Sequence, residues 1–181
     1  MPKLERLEWV VPLTEGRGVT LTDNPEADMF LAEDPNALLL GVMYDSQYQT
    51  RRAFAIPFVL RERLGHFDID RIASEPELVH AAFTTKPALH RFPNRYAELT
   101  SKLAQVLVDE YEGNSGRIWL EASSVDDLAG RLMALPAFGG QKTSWTVGML
   151  GRLGVLTYTG WDGYRAPDKP RSARAKQAEA E

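Results

Sequence analysis

The stretch Leu135-Pro136-Ala137-Phe138-Gly139-Gly140-Gln141-Lys142-Thr143 decides how the chain reads. Before it, Ser123 or Ser124 can N-cap a helix, and Asp127 follows Ser124 by three residues in a capping-box-like arrangement. Leu128, Leu132 and Leu135 then recur at helical spacing. After the stretch, Trp145, Met149 and Leu153 recur at i, i+4 and i+8, and Gly154 supplies a stop. The pattern predicts a helix, a tight glycine-containing hairpin, and a second helix starting near Gly140. The unpaired N–H groups of that helix's first turn point outward, with the positive end of the helix dipole behind them. Gly139 and Gly140 let another backbone come close. Such an end suits an anion, a nucleic-acid phosphate included. The same spacing also describes an ordinary αα-hairpin whose glycines only turn the chain.

Working outward from the hairpin, the sequence keeps giving helices. Asp23 to Ala32 reads as a short helix, and Asp34-Pro35 opens another with Asp as N-cap and Pro at the first position. Leu38, Leu39, Leu40, Val42 and Met43 make that helix apolar on nearly every face, so it is expected to be buried. It ends in Tyr44, Asp45 and Gln47, polar groups that must either bond to neighbouring backbone or face a pocket. Thr50 to Leu64 continues as a helix with Pro57 as a kink site and Gly65 as its end. Arg51 and Arg52 stand at its start, where they reach either phosphate or solvent. Asp68 to Ala73 and Ser74 to Phe83 read as two short helices, with Ser74-Glu75-Pro76-Glu77 as a second capping box. A long amphipathic helix is expected from about Arg95 to Tyr111, followed by a turn at Gly113-Asn114-Ser115-Gly116. Trp9-Val10-Val11-Pro12-Leu13 suits a short strand or an extended segment. The end of the chain, from 166 on, has a composition expected to be disordered. The prediction is an all-α protein without an internal repeat.

Composition bounds the chemistry. With 181 residues the chain suits one domain with a sizeable core. Cysteine is absent, which excludes disulfides, thiolate metal sites and a cysteine-ligated iron–sulfur cluster. His66, His80 and His90 lack close metal-ligand spacing, so no metal site is expected. No apolar run is long enough for a membrane span and the first residues do not open a signal peptide, so a cytoplasmic protein is the expectation. A net charge of −4 argues against a generic, high-affinity nucleic-acid binder. Charge is unevenly spread, however. Asp23 to Asp34 holds five acids and no Lys or Arg, whereas Lys86 to Lys102 holds four basic residues and one acid. No motif encodes an oligomeric state.

The hairpin resembles that of the helix-hairpin-helix DNA glycosylases, the HhH-GPD superfamily, whose pattern runs roughly L-P-G-[VI]-G-x-x-T-A. Leu38-Leu39-Leu40-Gly41-Val42-Met43-Tyr44-Asp45-Ser46-Gln47 is similar to the buried, Gln-ending helix that precedes the base pocket there. Pro87-Ala88-Leu89-His90-Arg91-Phe92-Pro93, with Arg61-Glu62-Arg63-Leu64-Gly65, resembles an actinobacterial branch described only as HhH-GPD-type base-excision-repair proteins. The resemblance runs from about Asp23 to about Trp161. It implies an N-terminal extension over 1–22, a DNA-glycosylase-like domain over 23–165 with the helix-hairpin-helix at about 124–154, and a reduced second lobe.

What the resemblance implies about function is specific. DNA is the expected partner, contacted through Phe138, Gly139, Gly140, Gln141, Lys142, Thr143 and Arg51. Tyr44, Gln47, Tyr48, Trp145 and Trp161 are the expected base-pocket residues, although Trp145 also lies on the inner stripe of its helix. Superfamily members use an Asp after the hairpin helix to stabilise positive charge on the sugar or to activate water. Asp162 is the one acid that fills that place, at a slightly longer spacing; Asp162-Gly163 is equally a turn signal. Bifunctional members carry an amine nucleophile in the hairpin helix. Aligning Leu135-Pro136 with the motif puts Gln141 there and turns Lys142 about 100° away. The expectation is a monofunctional N-glycosylase without lyase activity. The alternatives are a non-catalytic DNA-binding module and a related enzyme acting on hypermodified bases. Without an iron–sulfur cluster, the cofactor still compatible with the chain is a monovalent cation at the hairpin.

Overall fold

The computed structural model describes residues 21–167, and among these it contains nine helices and no strand. They are α1 (Pro25–Glu33), α2 (Pro35–Tyr44), α3 (Thr50–Leu64), α4 (Ile69–Ser74), α5 (Pro76–Thr84), α6 (Pro93–Tyr111), α7 (Gly116–Leu120), α8 (Val125–Ala134) and α9 (Gly140–Arg152). The all-α expectation holds. The expected extended segment at Trp9–Leu13 and most of the C-terminal tail lie outside the described residues.

Local chemistry sets the helix ends. Asp34 accepts from the N–H groups of Asn36 and Ala37 and so caps α2 in front of Pro35. Asp28 collects the N–H groups of Leu21 and Thr22 and the Thr22 hydroxyl, which ties residues expected to belong to an N-terminal extension onto α1. Part of the acidic run at 23–34 therefore serves as helix caps. Gly65 ends α3 at φ 73°, a conformation that glycine adopts without a Cβ penalty. Ser124 caps α8 by accepting from Asp127 N–H, while the Asp127 carboxylate takes Ser123 N–H at 2.9 Å. The capping box expected at Ser74 does not form. Ser74 is the last residue of α4, and its hydroxyl donates back to Asp70 C=O at 2.8 Å.

Helix α2 is the centre of the core. Every residue from Ala37 to Tyr44 is buried, and α2 packs along α3. Gly41 permits the approach: a Cβ there would stand 2.6 Å from the Phe54 ring. The pair α4 and α5 packs on α6, while α8 and α9 form the hairpin layer, and α9 touches α2. Arg63 fixes the segment between α5 and α6, donating to Ala82, Thr85 and Pro87 carbonyls. Arg61 lies over Phe30 and Phe58, 4.2 and 4.8 Å from the ring centroids. These contacts give both arginines of the 61–65 stretch a structural use.

Candidate functional site

The site forms where the C-terminal end of α2 meets the hairpin. A helix leaves its last carbonyls without intrahelical partners, and α2 finds them elsewhere. Asp45 N–H closes on Gly41 and Val42 C=O, and Ser46 N–H reaches Tyr44 C=O at 2.8 Å. His90 reaches the same Tyr44 carbonyl through Nε2 at 3.2 Å, while its Nδ1 accepts from Phe92 N–H. Those two bonds define the neutral Nε2–H tautomer, and burial lowers the His90 pKa. Met43 C=O accepts from Lys142 Nζ at 2.7 Å, a contact spanning 99 residues of sequence.

These elements enclose a cavity of about 620 Å³. The end of α2 and the loop after it contribute Val42, Asp45, Ser46 and Gln47; the start of α6 contributes Phe92, Arg95 and Tyr96; the hairpin contributes Ala137, Gln141, Lys142 and Trp145. Gln47 sits at φ 51°, and its carbonyl is held by Arg91 at 3.2 Å. Trp145 is a helical-stripe residue that stays 36% exposed, resting on the Phe54 ring at a centroid distance of 5.7 Å. It belongs to the cavity wall, not to the core.

The inward amine is Lys142. Gln141 is exposed at the rim, and one step of helix turns Lys142 under it into the cavity. Both residues line the cavity, although the register of the resemblance gave the amine position to Gln141 and turned Lys142 from it. Burial lowers the Lys142 pKa to about 8; Asp45 acts in the opposite direction and Arg95 in the same one. Asp45 is also the site's carboxylate, and it accepts from the Thr50 hydroxyl at 3.2 Å. Motif matching did not single out Asp45 as reactive. Its position after a buried helix that must end in polar groups was the available signal.

The chain matches no family model, no curated protein and no solved structure. What the site can do therefore follows from its own geometry.

Other expected site residues lie elsewhere. Tyr44 is fully buried, with its hydroxyl paired to Thr100 Oγ1 at 2.8 Å and its pKa raised by burial, so it does not line the cavity. Tyr48 packs its ring against His90, with centroids 4.4 Å apart, and does not line the cavity. Phe138 and Thr143, expected to contact DNA, are buried in the hairpin layer, so their side chains do not reach the surface. Arg51 is paired with Asp23, both exposed, and its charge is locally compensated. Asp162 is exposed in the turn Trp161–Tyr164, where Gly163 has φ 71°, and it lines neither of the two cavities at α9. Its turn role is the one seen. Among the described residues no group of three or more His, Asp or Glu is placed to hold a metal, and no helix is long and apolar enough to cross a membrane.

The N-terminus of α9 keeps part of its expected character. No side chain caps it. Nothing stands near a Cβ at Gly139, but at Gly140 one would meet Pro167 O at 2.8 Å and Ala166 O at 3.2 Å. The backbone that comes close to Gly140 is the chain's own. Ala166 and Pro167, expected to begin a disordered tail, pack on α9.

Proposed function

We propose that the protein is a DNA N-glycosylase-like enzyme of base excision repair, taking an extruded damaged or modified base and its sugar into the 620 Å³ cavity. The observation that carries this is that the half-buried Lys142, whose pKa is lowered by burial, lines the same cavity as Asp45. Gln47 and Gln141 supply amide edges that can pair with a base, and Trp145 supplies a ring face. The neutral Lys142 amine can attack C1′ of the sugar. The N–C1′ bond forms, the glycosidic bond breaks, and the base departs with the electron pair and takes up a proton. Loss of a proton from the attached nitrogen and ring opening at the sugar oxygen leave an imine, which water hydrolyses to the aldehyde and the free amine. Asp45 is the group available to accept and return these protons. In this proposal the nucleophile is an amine, in contrast to the expectation from the hairpin register, and hydrolysis of the imine leaves the strand intact.

The bond from Lys142 to Met43 C=O favours a second reading, a non-catalytic DNA-binding module in which the lysine only caps α2. Base release from a panel of modified oligonucleotides distinguishes the two. The enzyme reading predicts release by the wild-type protein and its loss in Lys142→Gln, while Asp162→Asn retains activity. No release from any substrate, or undiminished release by Lys142→Gln, contradicts it.

A further inference from the structure

A second cavity, of about 470 Å³, shares Gln141 and Trp145 with the first as lining residues. One wall is the face of α9 carrying Ser144, Gly148 and Arg152; the other is Trp161 together with Gly163 to Ala166. That segment is fixed in three places. The Trp161 ring lies against Gly151, where a Cβ would come within 2.1 Å of it. The Tyr164 hydroxyl donates to Asp126 at 3.0 Å, and Ala166 N–H donates to Ser144 Oγ at 2.9 Å.

We propose that this groove binds the nucleotide adjoining the one in the deeper cavity, so that the substrate strand is unpaired at the site. The proposal rests on the base-excision reading. Its chemistry comes from the groove itself. Trp145, Trp161 and Tyr164 offer aromatic surface, Arg152 and Arg165 offer cations, and no carboxylate lines it. Asp126, bonded to Tyr164, and the exposed Asp162, in the turn between Trp161 and Gly163, stand outside the lining. Aromatic surface with cations and no acid accepts a planar ring joined to an anion, which is a nucleotide. The Gln141–Trp145 ridge common to both cavities makes the two occupants successive units of one strand. The net charge of −4 points the same way. A duplex binder draws its affinity from many phosphate contacts, whereas stacking on unpaired bases needs fewer cations.

The test compares short single-stranded oligonucleotides carrying one tetrahydrofuran abasic analogue, flanked either by normal bases or by further abasic analogues. Wild-type protein is expected to bind the first about tenfold more tightly or better, the range that base–aromatic stacking gives. It should also prefer the first to the same strand in a duplex. Arg152→Gln, a surface change, and Gly151→Ala, whose Cβ takes the place of the Trp161 ring, both reduce the difference. Equal wild-type binding of the two single strands, with borohydride still trapping Lys142 on abasic DNA, overturns the groove and leaves the base-excision reading standing. So does a difference that both variants retain, or a preference for the duplex. Absence of both binding and trapping overturns the groove and the base-excision reading together.

Discussion

The acid–base behaviour of Lys142 can be measured without knowing any substrate. Burial lowers its pKa to about 8 from 10.5. About a quarter of the Lys142 amines are then neutral at pH 7.5, against about one in a thousand for a lysine with the ordinary value. Only the neutral amine attacks an electrophile, so Lys142 should be labelled far ahead of surface lysines near neutral pH. The neighbours set the direction of two variants. The Asp45 carboxylate favours the ammonium form, so Asp45→Asn should lower the midpoint below about 8. Arg95 disfavours that form, so Arg95→Gln should raise it. Competitive acylation across a pH series, read peptide by peptide by mass spectrometry, gives the midpoint for each lysine. A Lys142 midpoint alongside the exposed lysines, or a rise in Asp45→Asn, would refute the reasoning. Folding stability carries the same signature. The unfolded chain binds more protons between about 8 and 10.5, so stability rises with pH through that window, and Lys142→Met removes the rise.

Other parts of the structure give further expectations. Gly41→Ala pushes a methyl to 2.6 Å from the buried Phe54 ring and should destabilise the protein by about 1–2 kcal/mol, overpacking outweighing the helix propensity gained. Because Phe54 supports Trp145, urea unfolding of that variant should be accompanied by changed Trp fluorescence in the native baseline; unchanged or increased stability would contradict the packing. Ala137 stands at φ 60°, where the hairpin pattern has glycine, so Ala137→Gly should raise stability by roughly 0.5 kcal/mol in the same assay. Burial lowers the His90 pKa, and Nδ1 accepts from Phe92 N–H and so carries no proton there, while the bond to Tyr44 C=O acts in the opposite direction. Stability should fall as pH drops below the ordinary histidine value of about 6.5 toward the lowered one, and His90→Gln should flatten that slope.

Helix ends and buried faces were legible in the sequence because their causes are local. Asp34-Pro35, Ser124, Gly65 and the apolar run of α2 each act within a few residues, and the structure bears them out. Trp145, Gln47 and Lys142 could be named as site candidates for the same reason, since all three flank a hairpin or end a buried helix. Their assembly was not legible. The direction of Lys142 depends on Met43 C=O, which lies 99 residues away, and on a cavity wall built from three separated segments. Tyr44 turned inward because Thr100, on α6, offers its hydroxyl a partner inside the core. Asp162 filled a spacing but its neighbour Gly163 decided its geometry through a turn. The strap at 161–167 was missed because its anchors are single contacts to α8 and α9, and contacts of that kind leave no periodic trace.

In the proposed reaction the Lys142 amine is the reactive group of the cavity. Borohydride reduction in the presence of single-stranded DNA containing an abasic aldehyde tests it most directly. A covalent protein–DNA adduct is expected, mapped by mass spectrometry to Lys142 and lost in Lys142→Gln. No adduct, or an adduct carried by another lysine and undiminished in Lys142→Gln, would contradict it.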